Sequence, residues 1–125
     1  MGRLSGKYRF NELFPNIDGD IKRFEEQARS GAVFVWGAAT KGCMFLAHCA
    51  MKNRLIDKVC FAVDQNPNKL GKHLPGSLIE IRSKEDFFRT AKPGDLLLIA
   101  NSAYKDEIVA EVIANGLMDI AIQTL

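Results

Sequence analysis

The sequence predicts an α/β domain of three layers, in which helices cover both faces of a five-stranded parallel sheet. Short apolar runs alternate with segments of helical periodicity along the whole chain. The apolar runs are uninterrupted, which is typical of parallel strands buried on both faces. A length of 125 residues gives room for a single domain. Because crossover connections are right-handed, these elements predict the strand order 3-2-1-4-5.

The chain begins with a segment that has no clear periodicity. Residues 1–20 are predicted to form an irregular arm or the remnant of a linker, because glycine and proline interrupt their aromatic residues. The folded domain is then expected to span residues 21–125. Asp18 or Asp20 is suited to cap a first helix, which the apolar spacing extends to about Arg29.

The remaining elements alternate strand and helix, and each is bounded by turn residues or caps. Ser83, followed by Glu85 and Asp86, carries the capping chemistry of a helix start. The glycine loop of residues 37–42 opens the helix that follows the first strand. The predicted strands are residues 32–36, 59–63, 78–81, 96–100 and 118–122, and the helices after the first, third and fourth strands end near residues 53, 90 and 116.

Composition excludes several classes of partner. Seventeen basic and 15 acidic residues give a net charge of +2, and the basic residues form no stripe, so nucleic acid is not expected. No apolar stretch is long enough to cross a membrane, and a polar segment follows Met1, which together predict a cytoplasmic protein. Cys43, Cys49 and Cys60 have no metal-ligand spacing, and we expect buried, reduced thiols and no metal site.

The loop "GAATKG", residues 37–42, is the strongest functional signal in the sequence. It could hold a phosphate on the amides of the helix behind it, or it could be only a tight turn between strand and helix. Cys43 and Met44 stand where a phosphate-binding P-loop needs Lys and Ser or Thr, so phosphoryl transfer is not expected. Ala39 replaces the central glycine of the dinucleotide fingerprint, which weakens the case for NAD.

Two charged residues near this loop each allow a functional and a structural interpretation. Asp64, at the end of the second strand, could accept hydrogen bonds from ribose hydroxyls or cap the turn-rich segment "DQNPN". Lys41 could neutralise a phosphate or be a solvated lysine at a helix start. Any ligand is expected in the crevice between the ends of strands one and four.

The residues that the pattern itself places at this crevice share the carboxyl edge of the sheet. They are Gly37, Ala38, Ala39, Thr40, Lys41, Gly42, Asp64, His73, Asn101, Ser102 and Tyr104. No nucleophile and base pair and no paired carboxylates can be assigned to catalysis. The predicted site is therefore one that binds a ligand without catalytic residues of its own.

Three stretches resemble the C-terminal domain of SAM-dependent sugar C-methyltransferases: "VWGAATKGCMFLAHC", "FAVDQNPNKLGKHLPGSLIEI" and "LLLIANSAYKDEIVAE". In that family the motifs Gly-Ala-x-x-Lys-Gly, Val-Asp-x-Asn-Pro-x-Lys-x-Gly-x-x-Leu-Pro-Gly and Lys-(Asp/Glu)-Glu recur in this order. The matching residues are Gly37, Ala38, Lys41, Gly42, Asp64, Asn66, Pro67, Lys69, Gly71, Leu74, Pro75, Gly76, Lys105 and Glu107. The resemblance adds Asn66 and Lys69 to the candidate ligand-binding residues, whereas His73 stands where the family more often has an aromatic residue.

The resemblance implies a Rossmann-like domain that binds or orients a nucleotide-linked sugar in deoxysugar or polysaccharide biosynthesis. Family members carry their zinc and SAM sites in other domains, so no cofactor is expected here and SAM should lie on a separate domain or chain. The chain would be a fragment of such a transferase or a partner to it, and whether it acts as an enzyme stays open. Two alternatives stay open as well: a stand-alone CoA- or NAD-binding module, and a structural interaction domain with an empty crevice.

Overall fold

A computed structural model describes residues 10–28 and 30–125 of the chain. Its strands are β1 (Val33–Trp36), β2 (Val59–Val63), β3 (Ile81–Arg82), β4 (Leu96–Ile99) and β5 (Ala121–Thr124). The α-helices are α1 (Ile17–Gln27), α2 (Thr40–Lys52), α3 (Lys84–Thr90) and α4 (Lys105–Ala114), and residues 10–13 form a further helical turn. All strands pair in parallel in the order β3-β2-β1-β4-β5, which confirms the predicted fold class and strand order.

Alternate side chains of the central strands pack into two separate cores. Val33 and Val35 of β1 face a first core that also contains residues of α1 and α2. Phe34 and Trp36 face a second core shared with α3 and α4. The central strands are apolar throughout because both of their faces are covered, and the helices form the two outer layers.

The third and fifth strands begin later than the sequence predicts. Residues 78–81 were expected to be extended, but Leu78 has a φ of +62° and lies exposed in a turn, so β3 starts only at Ile81. For the fifth strand, the Asp119 carbonyl oxygen accepts a hydrogen bond from the Gly94 amide, and regular pairing with β4 begins only at Ala121. In both places the strand begins inside or after the apolar run, at a residue that local apolar character does not reveal.

The expected irregular arm is partly helical where the structure describes it. Residues 1–9 lie outside the described residues, but the chain forms a helical turn at residues 10–13. Phe14 follows that turn and is buried in the first core, with its ring centroid 5.9 Å from that of Phe45. The aromatic side chains of this segment therefore anchor it to the domain, because they bury apolar surface against α2.

The first helix lacks the acidic cap that the sequence predicts. Asp18 and Asp20 both lie within its first turn, and the N-cap residue is Asn16, whose side chain makes no capping hydrogen bond. The helix ends at Gln27, whereas the predicted end, Arg29, lies outside the described residues. The two aspartates still favour the helix, since negative charge near its N-terminus interacts well with the helix dipole.

The three cysteines are free but are not all buried, contrary to the expectation from sequence. Cys49 is buried, Cys43 is partly buried and Cys60 is exposed. Burial raises the pKa of Cys49 to about 12. Cys60 lies outside because β2 contains a bulge there: two successive residues of β1 pair with Val59 and Phe61, which leaves Cys60 unpaired between them.

The described residues contain neither a cluster of metal-ligating side chains nor a helix suited to cross a membrane. Neither residues 10–28 nor residues 30–125 bring together three or more His, Cys, Asp or Glu side chains that could hold a metal ion. In the same ranges no helix combines the length and the apolar character needed to cross a bilayer.

Candidate functional site

A crevice with a volume of about 560 Å³ opens at the carboxyl edge of the sheet, between the ends of β1 and β4. It lies on the side covered by α3 and α4. Its apolar floor comprises Trp36, Val63, Ile99 and Ile108, and its polar walls comprise Asp64, Gln65, Lys84, Asn101, Tyr104, Glu107 and Glu111. Ligands of such sheets bind where the connections after neighbouring strands leave toward opposite faces, which is the position of this crevice.

The glycine loop brings α2 into very close contact with the end of β1. Gly37 has a φ of +117°, which side chains rarely tolerate. A Cβ atom on Gly42 would lie 2.1 Å from the Gly37 carbonyl oxygen, so the helix approaches the strand at a distance that only glycine allows. Because α2 begins at Thr40, the loop itself is only three residues long, and it places Gly37 and Ala39 on the wall of the crevice.

The first turn of α2 follows directly on Gly37 and Ala39, which line the crevice. The first α-helical hydrogen bond runs from the Cys43 amide to the Ala39 carbonyl oxygen at 2.9 Å. The amides of residues 40–42 precede this bond, so they have no acceptor within the helix. No side chain caps this end. Such a helix start attracts negatively charged groups through its amides and its dipole.

Asp64 connects the end of β2 to the glycine loop. Its Oδ2 accepts a hydrogen bond from the Ala38 amide at 3.1 Å and lies 3.7 Å from Lys69 Nζ, while Oδ1 accepts from the Asn66 amide at 2.9 Å. The bond to Asn66 is the turn cap that the sequence allowed. A carboxylate has about four acceptor positions, so Asp64 can hold the loop and still bind a hydroxyl in the crevice.

Lys41 is directed away from the crevice. Its Nζ donates a hydrogen bond to the Leu125 carbonyl oxygen at 2.8 Å and lies 5.7 Å from the ring centroid of Phe14. Both partners pack in or against the first core, whereas the crevice floor belongs to the second. The ammonium of Lys41 therefore stabilises the position of the chain after β5.

The structure brings part of the predicted set of ligand-binding residues together. Those that line the crevice are Gly37, Ala39, Asp64, Asn101 and Tyr104. Those that lie outside its lining are Ala38, Thr40, Lys41, Gly42, Asn66, Lys69, His73 and Ser102. Among the latter, His73 is exposed and forms an isolated antiparallel bridge with Glu80, so it helps to shape the loop before β3.

Most of the chain, including the crevice residues, matches a known protein family. Residues 9–116 match the family described as the C-methyltransferase C-terminal domain. The chain belongs to this family. The match confirms the resemblance that the three sequence stretches indicated, and it includes the glycine loop, the Asp64 segment and α4. No curated protein matches the chain.

Three charged residues that line the crevice of this C-methyltransferase C-terminal domain were not among the ligand-binding residues predicted from sequence. Lys84 Nζ and Glu111 Oε1 form an ion pair at 2.7 Å, and the hydrogen bond to Glu111 raises the pKa of Lys84. The third is Glu107, which the family motif contains. A local signal for part of this wall exists, because Tyr104, Glu107, Ile108 and Glu111 are spaced to share one face of a helix.

Proposed function

We propose that this C-methyltransferase C-terminal domain binds a nucleotide-linked sugar in the crevice and orients it for methylation. The methyl donor SAM would be held by a separate domain or by a partner chain. The crevice itself carries the proposal, because it lies at the strand switch point and has the volume of a small-molecule site. Its apolar floor and hydrogen-bonding walls match a sugar, which has apolar ring faces and polar edges.

In this proposal the sugar hydroxyls donate to carboxylates of the crevice wall. Asp64 and Glu111 are both partly shielded from solvent, which strengthens their hydrogen bonds to hydroxyls. The Asn101 side-chain oxygen already accepts the Ala103 amide at 3.0 Å, so its NH₂ group is the part available to a sugar oxygen. Trp36, which keeps some exposed surface at the crevice floor, would contact the apolar face of the ring.

The diphosphate would lie outside the acidic wall, against the amides of residues 40–42 at the start of α2. Those amides have no helical acceptor, and the helix dipole adds a favourable interaction with an anion. Lys41 takes no part in this arrangement, since its ammonium is bonded to the Leu125 carbonyl oxygen. The anion is thus bound mainly by backbone groups, which predicts modest affinity.

Two features of the glycine loop favour a SAM site elsewhere. The Ala38 amide is already bonded to Asp64, and the methyl group of Ala39 stands where the dinucleotide fingerprint has its central glycine. Both reduce the room and the donors that a cofactor would need at this turn. The domain would then supply binding and orientation, while methyl transfer takes place on the other domain or chain.

The proposal is tested by isothermal titration calorimetry with UDP-glucose, GDP-mannose, dTDP-glucose, CoA, NAD and SAM. We expect at least one nucleotide sugar to bind, with weak affinity. Asn101→Asp keeps the acceptor for the Ala103 amide but loses the NH₂ donor, and it should weaken that binding about fivefold or more. The matched control is Asn68→Asp, the same chemical change at an exposed side chain outside the crevice lining, which should leave affinity unchanged.

Other outcomes would contradict the proposal in different ways. Tighter binding of CoA or NAD than of every nucleotide sugar would identify a stand-alone cofactor-binding module. Micromolar affinity for SAM would overturn the assignment of the cofactor to a separate domain. Failure of all six compounds to bind would favour an interaction domain whose crevice holds no ligand.

A further inference from the structure

Negatively charged side chains outnumber positively charged ones in the lining of the crevice. Its lining contains three carboxylates, those of Asp64, Glu107 and Glu111, and one ammonium, that of Lys84. Asp64 is compensated by Lys69 and by two backbone amides, and Glu111 is compensated by Lys84 at 2.7 Å. What distinguishes Glu107 is that no cation among the described residues lies within ion-pair distance of its carboxylate.

Lys84 is not available to balance Glu107. Its Nζ is bonded to Glu111, and this bond is the largest cause of the raised pKa of Lys84, with the charge of Glu107 acting in the same direction. Lys84 therefore stays protonated and paired with Glu111, while the negative field of Glu107 reaches into the crevice.

An exposed aromatic ring lies beside this carboxylate. Tyr104 precedes Glu107 by three residues, so the two side chains are neighbours at the start of α4, and both line the crevice. Tyr104 is 55% exposed, which leaves its ring free to contact a ligand. A carboxylate next to an aromatic ring is the combination that binds an organic ammonium, by ion pairing and by a cation–π interaction.

We infer that the crevice selects a sugar that carries a protonated amine, which Glu107 and Tyr104 bind together. This inference rests on the proposed function, since it names the class of nucleotide-linked sugar that the same crevice accepts. A sugar with a carboxylate would be rejected, because the crevice offers it no unpaired cation and would place it near Glu107. Lys84 acts here by keeping Glu111 neutralised, so the ammonium is directed to Glu107.

The test compares nucleotide sugars that differ only by an amine in place of a hydroxyl. The pairs are UDP-glucosamine with UDP-glucose, and the 3-amino and 4-amino derivatives of dTDP-6-deoxyglucose with dTDP-6-deoxyglucose. In mildly acidic buffer, where the amines are protonated, we expect one amino sugar to bind about fivefold more tightly than its hydroxyl counterpart. This is the size of effect that a partly exposed ion pair with one cation–π contact provides.

Two variants of α4 separate the role of Glu107 from a general effect of charge. Glu107→Gln should abolish the preference for the amine, because the amine and hydroxyl sugars then meet the same neutral side chain. Asp106→Asn removes the same charge from the neighbouring position, which lies outside the crevice lining, and should preserve the preference. Tyr104→Leu should reduce the preference about twofold, because it removes the ring but keeps the bulk.

Each outcome decides a different claim. Equal affinity for all amine and hydroxyl pairs would overturn this inference and leave the proposed function intact. A preference that survives Glu107→Gln, or that Asp106→Asn also abolishes, would overturn the assignment to Glu107. If no nucleotide sugar binds at all, the proposed function fails and this inference fails with it.

Discussion

Replacement of Gly42 by alanine gives the sharpest test of the close contact between α2 and β1, because two physical effects predict opposite signs. Gly42 lies inside a helix, where alanine is favoured over glycine by about 0.8–1.0 kcal/mol. Helix propensity alone therefore predicts that Gly42→Ala stabilises the domain. The packing predicts the reverse, since the added Cβ would lie 2.1 Å from the Gly37 carbonyl oxygen.

The size of the steric effect follows from that distance. Cβ atoms in proteins essentially never approach another heavy atom within 3.0 Å, so the helix or the loop would have to shift by about 1 Å. The obstacle is backbone, and Gly37 has little room to yield because a side chain there would meet Ala100 at 3.0 Å. Forced overpacking of this kind costs up to about 3 kcal/mol, and the gain in propensity leaves a net loss of about 2 kcal/mol.

Urea denaturation followed by circular dichroism measures this loss. A domain of ordinary stability, about 5–15 kcal/mol, would stay folded but unfold at clearly lower urea. The control is Gly71→Ala, which has a φ of +81° but no atom near the added Cβ and should lose only about 1 kcal/mol. A Gly42→Ala variant that is as stable as the wild type, or more stable, would refute the argument from packing.

Three further predictions use the same measurements. Lys41→Met should lower the free energy of unfolding by about 1 kcal/mol, because it removes the hydrogen bond to Leu125, and should leave affinity for nucleotide sugars unchanged; a loss of affinity would point instead to contact with phosphate. Asp64→Ala should cost about 2 kcal/mol, since two backbone amides lose a charged acceptor, and unchanged urea denaturation would contradict this. Burial raises the pKa of Cys49 to about 12, so the free energy of unfolding should fall as pH rises above about 9, by up to about 1.4 kcal/mol per pH unit. The unfolded thiol loses its proton in that range while the buried one retains it; equal alkaline slopes for wild type and Cys49→Ala would contradict the prediction.

The sequence predicted the sheet well because the signals for it are local. Uninterrupted apolar runs mark buried parallel strands, and the handedness of crossovers restricts their order. The boundaries of β3 and β5 were less predictable, since they depend on hydrogen bonds between distant residues, such as that between Gly94 and Asp119. The sequence did not predict the helical turn at residues 10–13, because the glycine and proline residues around it favour irregular structure.

The site was predicted in position but only partly in composition. Gly37 and Asn101 follow neighbouring strands, so their meeting at one crevice follows from strand order alone. The pairing of Lys84 with Glu111 depends on how α3 packs beside α4, and 27 residues separate the two in sequence. The direction of Lys41 depends on the rotation of α2 about its axis, which the contact of Gly42 with β1 determines. No short sequence pattern indicates either the pairing of Lys84 with Glu111 or the direction of Lys41.

The bulge at Cys60 shifts the alternation of side chains between the two faces of β2, so the residues before and after it are in different register. Side chains alternate between the faces of a strand with a period of two residues, but Val59 and Ala62 share the first core although they are three residues apart. Cys60 is the extra residue of the bulge, and it accounts for this odd spacing. Loss of one residue at Cys60 would therefore leave both cores supplied with the same side chains. Loss of one residue between Phe61 and Val63 would instead reverse the faces of the residues on one side of the gap, so homologous chains should differ in length before Phe61 rather than after it.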